Sequence, residues 1–262
     1  MKTPTTDTDP LPRRCQRLVP LTGLTAGQVR TVYLTAQQVL PRRPGRPWAL
    51  PLAVPILLVL VHLHTNLTTL ALAVLFTTSK STVDRISGHL VPIPATALRP
   101  EPAAHHNMPW IIDGTLIPVH DQSITAPSKN YRRSINTQIV ICSPSRAVVA
   151  VGDRWPGNRN DVIVARHTVA HLLTGEGVIL GDGGYRGIDT ITTPVRDTTG
   201  RIIHDDHYRN HRRIRARVEP VIARLKDRPV LRQCRRRGQA INHSPHIIAG
   251  IWNLKTTGAQ PI

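Results

Sequence analysis

Trp110-Ile111-Ile112-Asp113-Gly114-Thr115-Leu116-Ile117 is a short apolar run with a single carboxylate at its centre. Its length suits a buried strand better than a helix, and an acid inside such a strand needs a partner or a task. Working outward, residues 134–142 and 146–152 are rich in Val and Ile, and Ser143-Pro144-Ser145 between them reads as a hairpin turn. Pro156-Gly157 breaks the chain, and Asn160 or Asp161 can cap a helix that runs to about residue 173. Val178-Ile179-Leu180 is a further strand that leads directly into Gly181-Asp182-Gly183-Gly184-Tyr185, and residues 212–228 read as one long helix. Three strands, a helix, a strand and a late helix is the order of an RNase H-like α/β domain, with a mixed central sheet and helices on its faces. In that order the first and fourth strands are neighbours at the sheet centre, so Asp113 and Asp182 are expected to face each other.

Upstream the texture is helical. Residues 1–20, rich in Pro, Thr and Arg, read as a loose arm, and residues 24–40 as a helix ended by the basic linker Pro41-Arg42-Arg43-Pro44-Gly45-Arg46-Pro47. No Asp, Glu, Lys or Arg occurs from Pro47 to Ser79; with Pro51 and Pro55 in its apolar part, this stretch reads as a buried helix and not a membrane span. Residues 67–90 have the layout of a helix-turn-helix. Ala73, Val83 and Ile86 fall where such a pair needs small and branched residues, Ser79 can cap the second helix, and Lys80, Ser81, Thr82 and Arg85 form its exposed face. The turn position usually given to Gly is Thr77, and any three-helix core can show the same spacing. The expected division is an arm and helix at 1–43, a helix-turn-helix domain at 44–95 and an RNase H-like catalytic domain at 108–255.

Charge names the partner. Lys and Arg number 34 against 16 Asp and Glu, a formal net of +18, which calls for a polyanion such as nucleic acid. Residues 201–237 alone hold twelve Arg and one Lys against four acids. Three scattered cysteines, with no leader peptide apparent, suit a reducing cytoplasm and a nucleoid-associated protein, and exclude a disulfide framework or a zinc finger.

Phosphodiester cleavage by two metal ions requires carboxylates that converge from different elements and hold the ions roughly 3.5–4 Å apart. Of the three glutamates, Glu101, Glu176 and Glu219, only Glu219 lies on a strongly patterned helix. There Val218, Val221, Ile222 and Leu225 form an apolar stripe, flanked by Arg215, Glu219 and Lys226. A surface salt-bridge ladder is the alternative for this flank. Asp161 is the rival ligand, although capping accounts for it without metal. Asp121, Asp153 and Asp189 read as loop residues, and Asp205-Asp206 as partners of neighbouring arginines. His62-Leu63-His64 has the form of a tyrosine-nuclease motif, but lies on a helical run with no Tyr near.

Asp113-Gly114-Thr115 after a strand, Pro156-Gly157 before a helix-opening Asp161, and Gly181-Asp182-Gly183-Gly184-Tyr185, in that order, resemble the DDE transposases of bacterial insertion sequences and the related eukaryotic Harbinger elements. Arg215, Glu219 and Lys226 resemble that family's Arg-Glu-Lys signature; Arg212 stands where many members have Tyr. The resemblance covers roughly residues 110–255, and the preceding helices also resemble the branch's N-terminal domain. It implies Asp113, Asp182 and Glu219 as catalytic metal ligands for two Mg2+, with Mn2+ able to substitute. It also implies Arg215 and Lys226 on the element's terminal DNA, Tyr185 close to the scissile strand, and a homo-oligomer acting on double-stranded element ends and target DNA. Water would free a 3′-hydroxyl, which would then attack the target. Two other classes remain open: an inert or domesticated DNA-binding protein, which needs no triad, and a structure-specific nuclease of the same fold.

Overall fold

A computed structural model describes residues 10–40, 50–105, 107–127, 133–173 and 177–256. The linker at 41–47, residues 1–9 and Glu176 lie outside them. The chain divides into two compact units, residues 1–97 with 260–262, and residues 98–259.

The first unit is helical. Residues 10–22 are not the loose arm expected of their composition: helix α1 (Arg13–Gln16) and a 3-10 turn at Val19–Thr22 bury Leu11, Cys15, Leu18 and Val19. Those four recur at helical spacing, and their burial outweighs the Pro and Arg around them. A capping box joins Thr25 and Gln28 at the start of α2 (Ala26–Val39). Helix α3 (Ala53–Thr65) is apolar on every side and almost wholly buried. Pro55 lies in its first turn, where no intrahelical N–H bond is lost. Among the described residues no helix is long and apolar enough to cross a membrane.

Helices α4 (Thr69–Leu75) and α5 (Lys80–His89) are the helix-turn-helix pair, followed by α6 (Pro92–Ala97). Ala73, Val83 and Ile86 are buried, and Ser79 caps α5 by accepting from the Thr82 amide at 3.1 Å. Thr77 has φ +51°. Its amide bonds Val74 O at 3.2 Å and that of Thr78 bonds Ala73 O at 2.9 Å, a Schellman closure whose left-handed position favours Gly. A β-branched residue there carries strain on the order of 1–2 kcal/mol. Thr77→Gly is therefore expected to raise the melting temperature by about 1 kcal/mol equivalent, part of the relief being lost to chain entropy. A melt equal to or below wild type would contradict this account of the turn.

The second unit is built on a mixed sheet. Strand β1 (Trp110–Pro118) pairs antiparallel with β3 (Arg133–Cys142) along its whole length. The far edge of β3 is shared by β2 (Ala126–Pro127), β5 (Trp155–Pro156) and β4 (Val148–Val151). On the other side β1 pairs parallel with β6 (Ile179–Leu180), which pairs parallel with β7 (Ile191–Thr192). The first and fourth major strands are thus neighbours, as the element order demands of an RNase H-like fold.

Alternate residues of β1 face opposite layers. Trp110 and Ile112 join Ala165 and Val169 in the core beneath α7 (Asp161–Thr168). Thr115 and Ile117 instead meet Ile222 and Leu225 of α9 (Val218–Lys226). The helix expected at 212–228 is two helices: α8 (Asp206–Arg215) ends before α9 begins. Pro220 explains the break, because it has no N–H for the Ala216 carbonyl and its ring would collide with that group. The short α10 (Pro229–Arg232) and long α11 (Ala240–Thr256) complete the unit.

Candidate active site

The register of the parallel pair creates the site. Ile111 pairs with Leu180, so Asp113 and Asp182 each lie two residues beyond the last pair, at the same level. Strands about 4.8 Å apart then offer two carboxylates from adjoining backbones where β6 ends. Each is steadied locally: Asp113 Oδ1 accepts from the Gly114 amide at 3.0 Å, and Asp182 Oδ1 from the Gly184 amide at 2.8 Å.

The Asp113 pKa stands raised at about 6: burial is the main cause, the charges of Asp182 and Asp161 add to it, and Arg215 and the Gly114 amide oppose them. Arg215, the last residue of α8, stands 3.6 Å from Asp113 Oδ2 and 3.6 Å from Glu219 Oε1. Glu219 is 63% exposed and, among the described residues, joins the pair through this guanidinium. Among the described residues no three acidic, imidazole or thiol side chains stand close enough together to hold one ion. The structure therefore brings Asp113 and Asp182 together and leaves Glu219 one arginine away.

Other expected site residues are placed differently from their sequence reading. Lys226, read as a DNA contact, turns inward and donates to Leu116 O at 2.9 Å, and burial lowers its pKa. It pins α9 to β1. Arg215, read likewise, is three-quarters buried among carboxylates. Arg212 does remain exposed on α8, its guanidinium 5.8 Å from the Tyr208 ring centre. Tyr185, expected beside the scissile strand, is fully buried; its hydroxyl donates to Gln138 Oε1 at 2.5 Å. An aromatic ring surrounded by apolar neighbours, with one short bond for its hydroxyl, belongs to the core. Asp161 is not a cap, and Asn160 makes no side-chain cap bond either. Asp161 Oδ1 instead accepts from Asn136 Nδ2 at 2.8 Å and Gln138 Nε2 at 3.0 Å. Sequence reasoning passed over Asn136 and Gln138, although two amides two residues apart, on one face of a strand rich in Ile and Val, were the available signal. Asp206 pairs with Arg209 as expected of that segment, whereas Asp205, read likewise as an arginine partner, instead caps α8 by accepting from the Tyr208 amide at 2.8 Å.

On α5, Lys80, Ser81 and Arg85 are all exposed. Lys80 pairs with Asp84 at 2.7 Å, and Arg85 donates to Thr82 Oγ1 at 3.3 Å.

Residues 109–254 match the family described as "Transposase DDE domain", and residues 48–100 match "Helix-turn-helix of DDE superfamily endonuclease". A protein of Streptomyces albus G that carries the name of a transposase for insertion sequence element IS112 is 42% identical over 219 residues, spanning 82% of this chain and 85% of that protein. The chain belongs to the DDE transposase family. A cryo-EM structure of the piggyBac transposase synaptic complex with hairpin DNA is similar at a TM-score of 0.43 and 10% identity, over 96% of this chain and 79% of that one.

This transposase is accordingly a DNA-cleaving enzyme with a helix-turn-helix for DNA, and its family implies a divalent metal. The donor set fits one. Asp113 and Asp182 present only oxygen ligands, the preference of hard divalent cations. Asp113 is held by burial and like charges in a setting that a cation would relieve.

Proposed function

We propose that this transposase recognises the ends of an insertion sequence, cleaves them and joins them to target DNA, with Asp113, Asp182 and Glu219 as ligands of two Mg2+ ions. The observation that carries this reading is the register that sets Asp113 and Asp182 side by side where β6 ends. The bound ions would supply Lewis-acid stabilisation of the attacking and leaving oxygens. Mn2+ would substitute, because the same oxygen ligands suit it. Water attacks the phosphorus at the element end, and the 3′-oxygen leaves and takes a proton. That 3′-hydroxyl then attacks a target phosphodiester and displaces its 3′-oxygen.

The chain's own residues divide the remaining work. Residues 44–95 form the end-recognition domain, with Lys80, Ser81 and Arg85 on the helix that enters the major groove. Residues 108–255 hold the chemistry. Arg212, exposed on α8, meets phosphate. Arg215 balances the charge of Asp113 and Glu219, and Lys226 fixes α9 against β1 so that Glu219 stays within reach. A homo-oligomer would hold two ends together, and the nucleoid is the expected place of action.

The test uses the full chain, a duplex carrying the terminal inverted repeat beside its gene, and a nicking assay with and without Mg2+. Removing a direct ligand must cost more than the roughly 10–100-fold typical of a residue behind it. Glu219→Gln should therefore lose at least about a hundredfold in nicking, yet bind the same duplex in EDTA as well as wild type or better, since a charge that repels DNA is gone. Near-normal nicking by Glu219→Gln would remove it from the metal. A wild-type chain that binds but never nicks would favour an inert DNA-binding protein.

A further inference from the structure

Behind the aspartate pair, on the α7 face of β1, lies a group of polar side chains that the proposed chemistry does not use: Asn136, Gln138 and Tyr185 are buried and Asp161 is half-buried. Tyr185 donates to Gln138 Oε1 at 2.5 Å; Gln138 Nε2 donates to Asp161 Oδ1 and Asn136 Oδ1, both at 3.0 Å; Asn136 Nδ2 donates to Asp161 Oδ1 at 2.8 Å. Gln138 lies directly opposite Gly114 across β1 and β3. Any Cβ at residue 114 would overlap the Asp161 carboxylate, so that group rests against the backbone next to Asp113. Tyr185 closes the turn that begins at Asp182. One end of the relay thus touches the backbone beside the first aspartate, and the other end is three residues beyond the second.

We infer that Asp161, Gln138 and Tyr185 are positioning residues that fix the separation of Asp113 and Asp182 from the opposite face of β1. The β1 and β6 segments, whose strand pairing ends at Ile111 and Leu180, are each tied beyond that point to the Gln138 amide, the turn after Asp182 through its oxygen and the backbone beside Asp113 through its nitrogen. Hydrogen-bond networks anchored on buried side chains are rigid when every member is satisfied. The carboxylate of Asp161 serves as an acceptor for two amides, a task that Asn can perform and Ala cannot. The inference rests on the assignment of Asp113 and Asp182 as cation ligands.

Two measurements on the full chain test it, one without metal. The Gly114 and Gly184 amides donate to the Asp113 and Asp182 carboxylates, so their NMR resonances report the two sites. Tyr185→Phe should move the Gly114 resonance, and Asp161→Ala the Gly184 resonance, although no direct bond joins either substituted residue to the far amide. If each substitution moves only the resonance on its own side, the relay is not a unit and the inference fails. The second measurement is Mn2+ affinity without DNA. Asp161→Asn should stay within about threefold of wild type, while Asp161→Ala and the milder Tyr185→Phe weaken binding about tenfold. Loss in Asp161→Asn equal to that in Asp113→Asn would make Asp161 a ligand and overturn the positioning role. Unchanged affinity in both Asp161→Ala and Tyr185→Phe would reduce the network to core packing. If Asp113→Asn itself leaves Mn2+ affinity intact, the ligand assignment is what fails, and the resonances still decide the relay.

Discussion

Asp113→Asn should abolish Mg2+-dependent strand cleavage and, in EDTA at pH 7, make the protein more stable than wild type. Burial lifts the Asp113 pKa from 3.8 to about 6, so between those values the native state holds a proton that the unfolded chain has released. Stability contributed by this group is full below pH 3.8 and is lost as pH rises through 6. At pH 7 the ionised carboxylate therefore disfavours folding by on the order of 3 kcal/mol, from roughly two pKa units at 1.36 kcal/mol each. Asn keeps the shape and removes the charge. The gap in melting temperature between variant and wild type should be near zero at pH 4 and open to roughly 5–10 °C by pH 7. A gap that does not widen with pH would refute the electrostatic account. Cleavage within tenfold of wild type would remove Asp113 from the chemistry.

Gly114→Ala is the second large effect expected. The added carbon would overlap the Asp161 carboxylate and sit 3.0 Å from Gln138 Nε2, in a strand fixed on its β3 side by nine paired residues. Asp161 must then swing away, and the Asn136 and Gln138 amides each lose one of two acceptors, keeping only Arg159 O and Asn136 Oδ1. Each buried N–H left without an acceptor costs about 1–3 kcal/mol, so with one lost from each amide a loss of about 3 kcal/mol in stability follows, with at least a tenfold fall in cleavage. Combining it with Asp161→Ala removes the collision, and the double variant should melt higher than the sum of the two losses allows. Additive losses, or a Gly114→Ala protein that melts like wild type, would show that the close approach is unimportant.

The parts that were legible in the sequence are those written in one segment at a time. The apolar runs around Asp113 and before Asp182 and the spacing of Ala73, Val83 and Ile86 are each local patterns that burial imposes, and the structure follows them. Pro220 was equally legible as a helix breaker, but the apolar stripe from Val218 to Leu225 continues through it and masks the break. The inward turn of Arg215 and Lys226 could not be read, because a cation's direction depends on carboxylates and carbonyls more than a hundred residues away, Asp113 and Leu116. The same holds for Asp161, whose partners lie 23 and 25 residues back on another strand. Its place at a helix start suggested a cap, a local explanation that tertiary contacts displaced.

The two-residue pairing of β6 with β1 also limits how such a chain can change length over time. Side chains alternate sides with every residue of extended backbone. One residue gained or lost between Leu180 and Asp182 would turn the second aspartate away from the first and silence the site in a single step. The stretch between α7 and β6 carries no such parity and can drift. Length variation among descendants of this sequence should therefore accumulate before Ile179 and stop abruptly there, a boundary drawn by strand geometry and not by the identity of any residue.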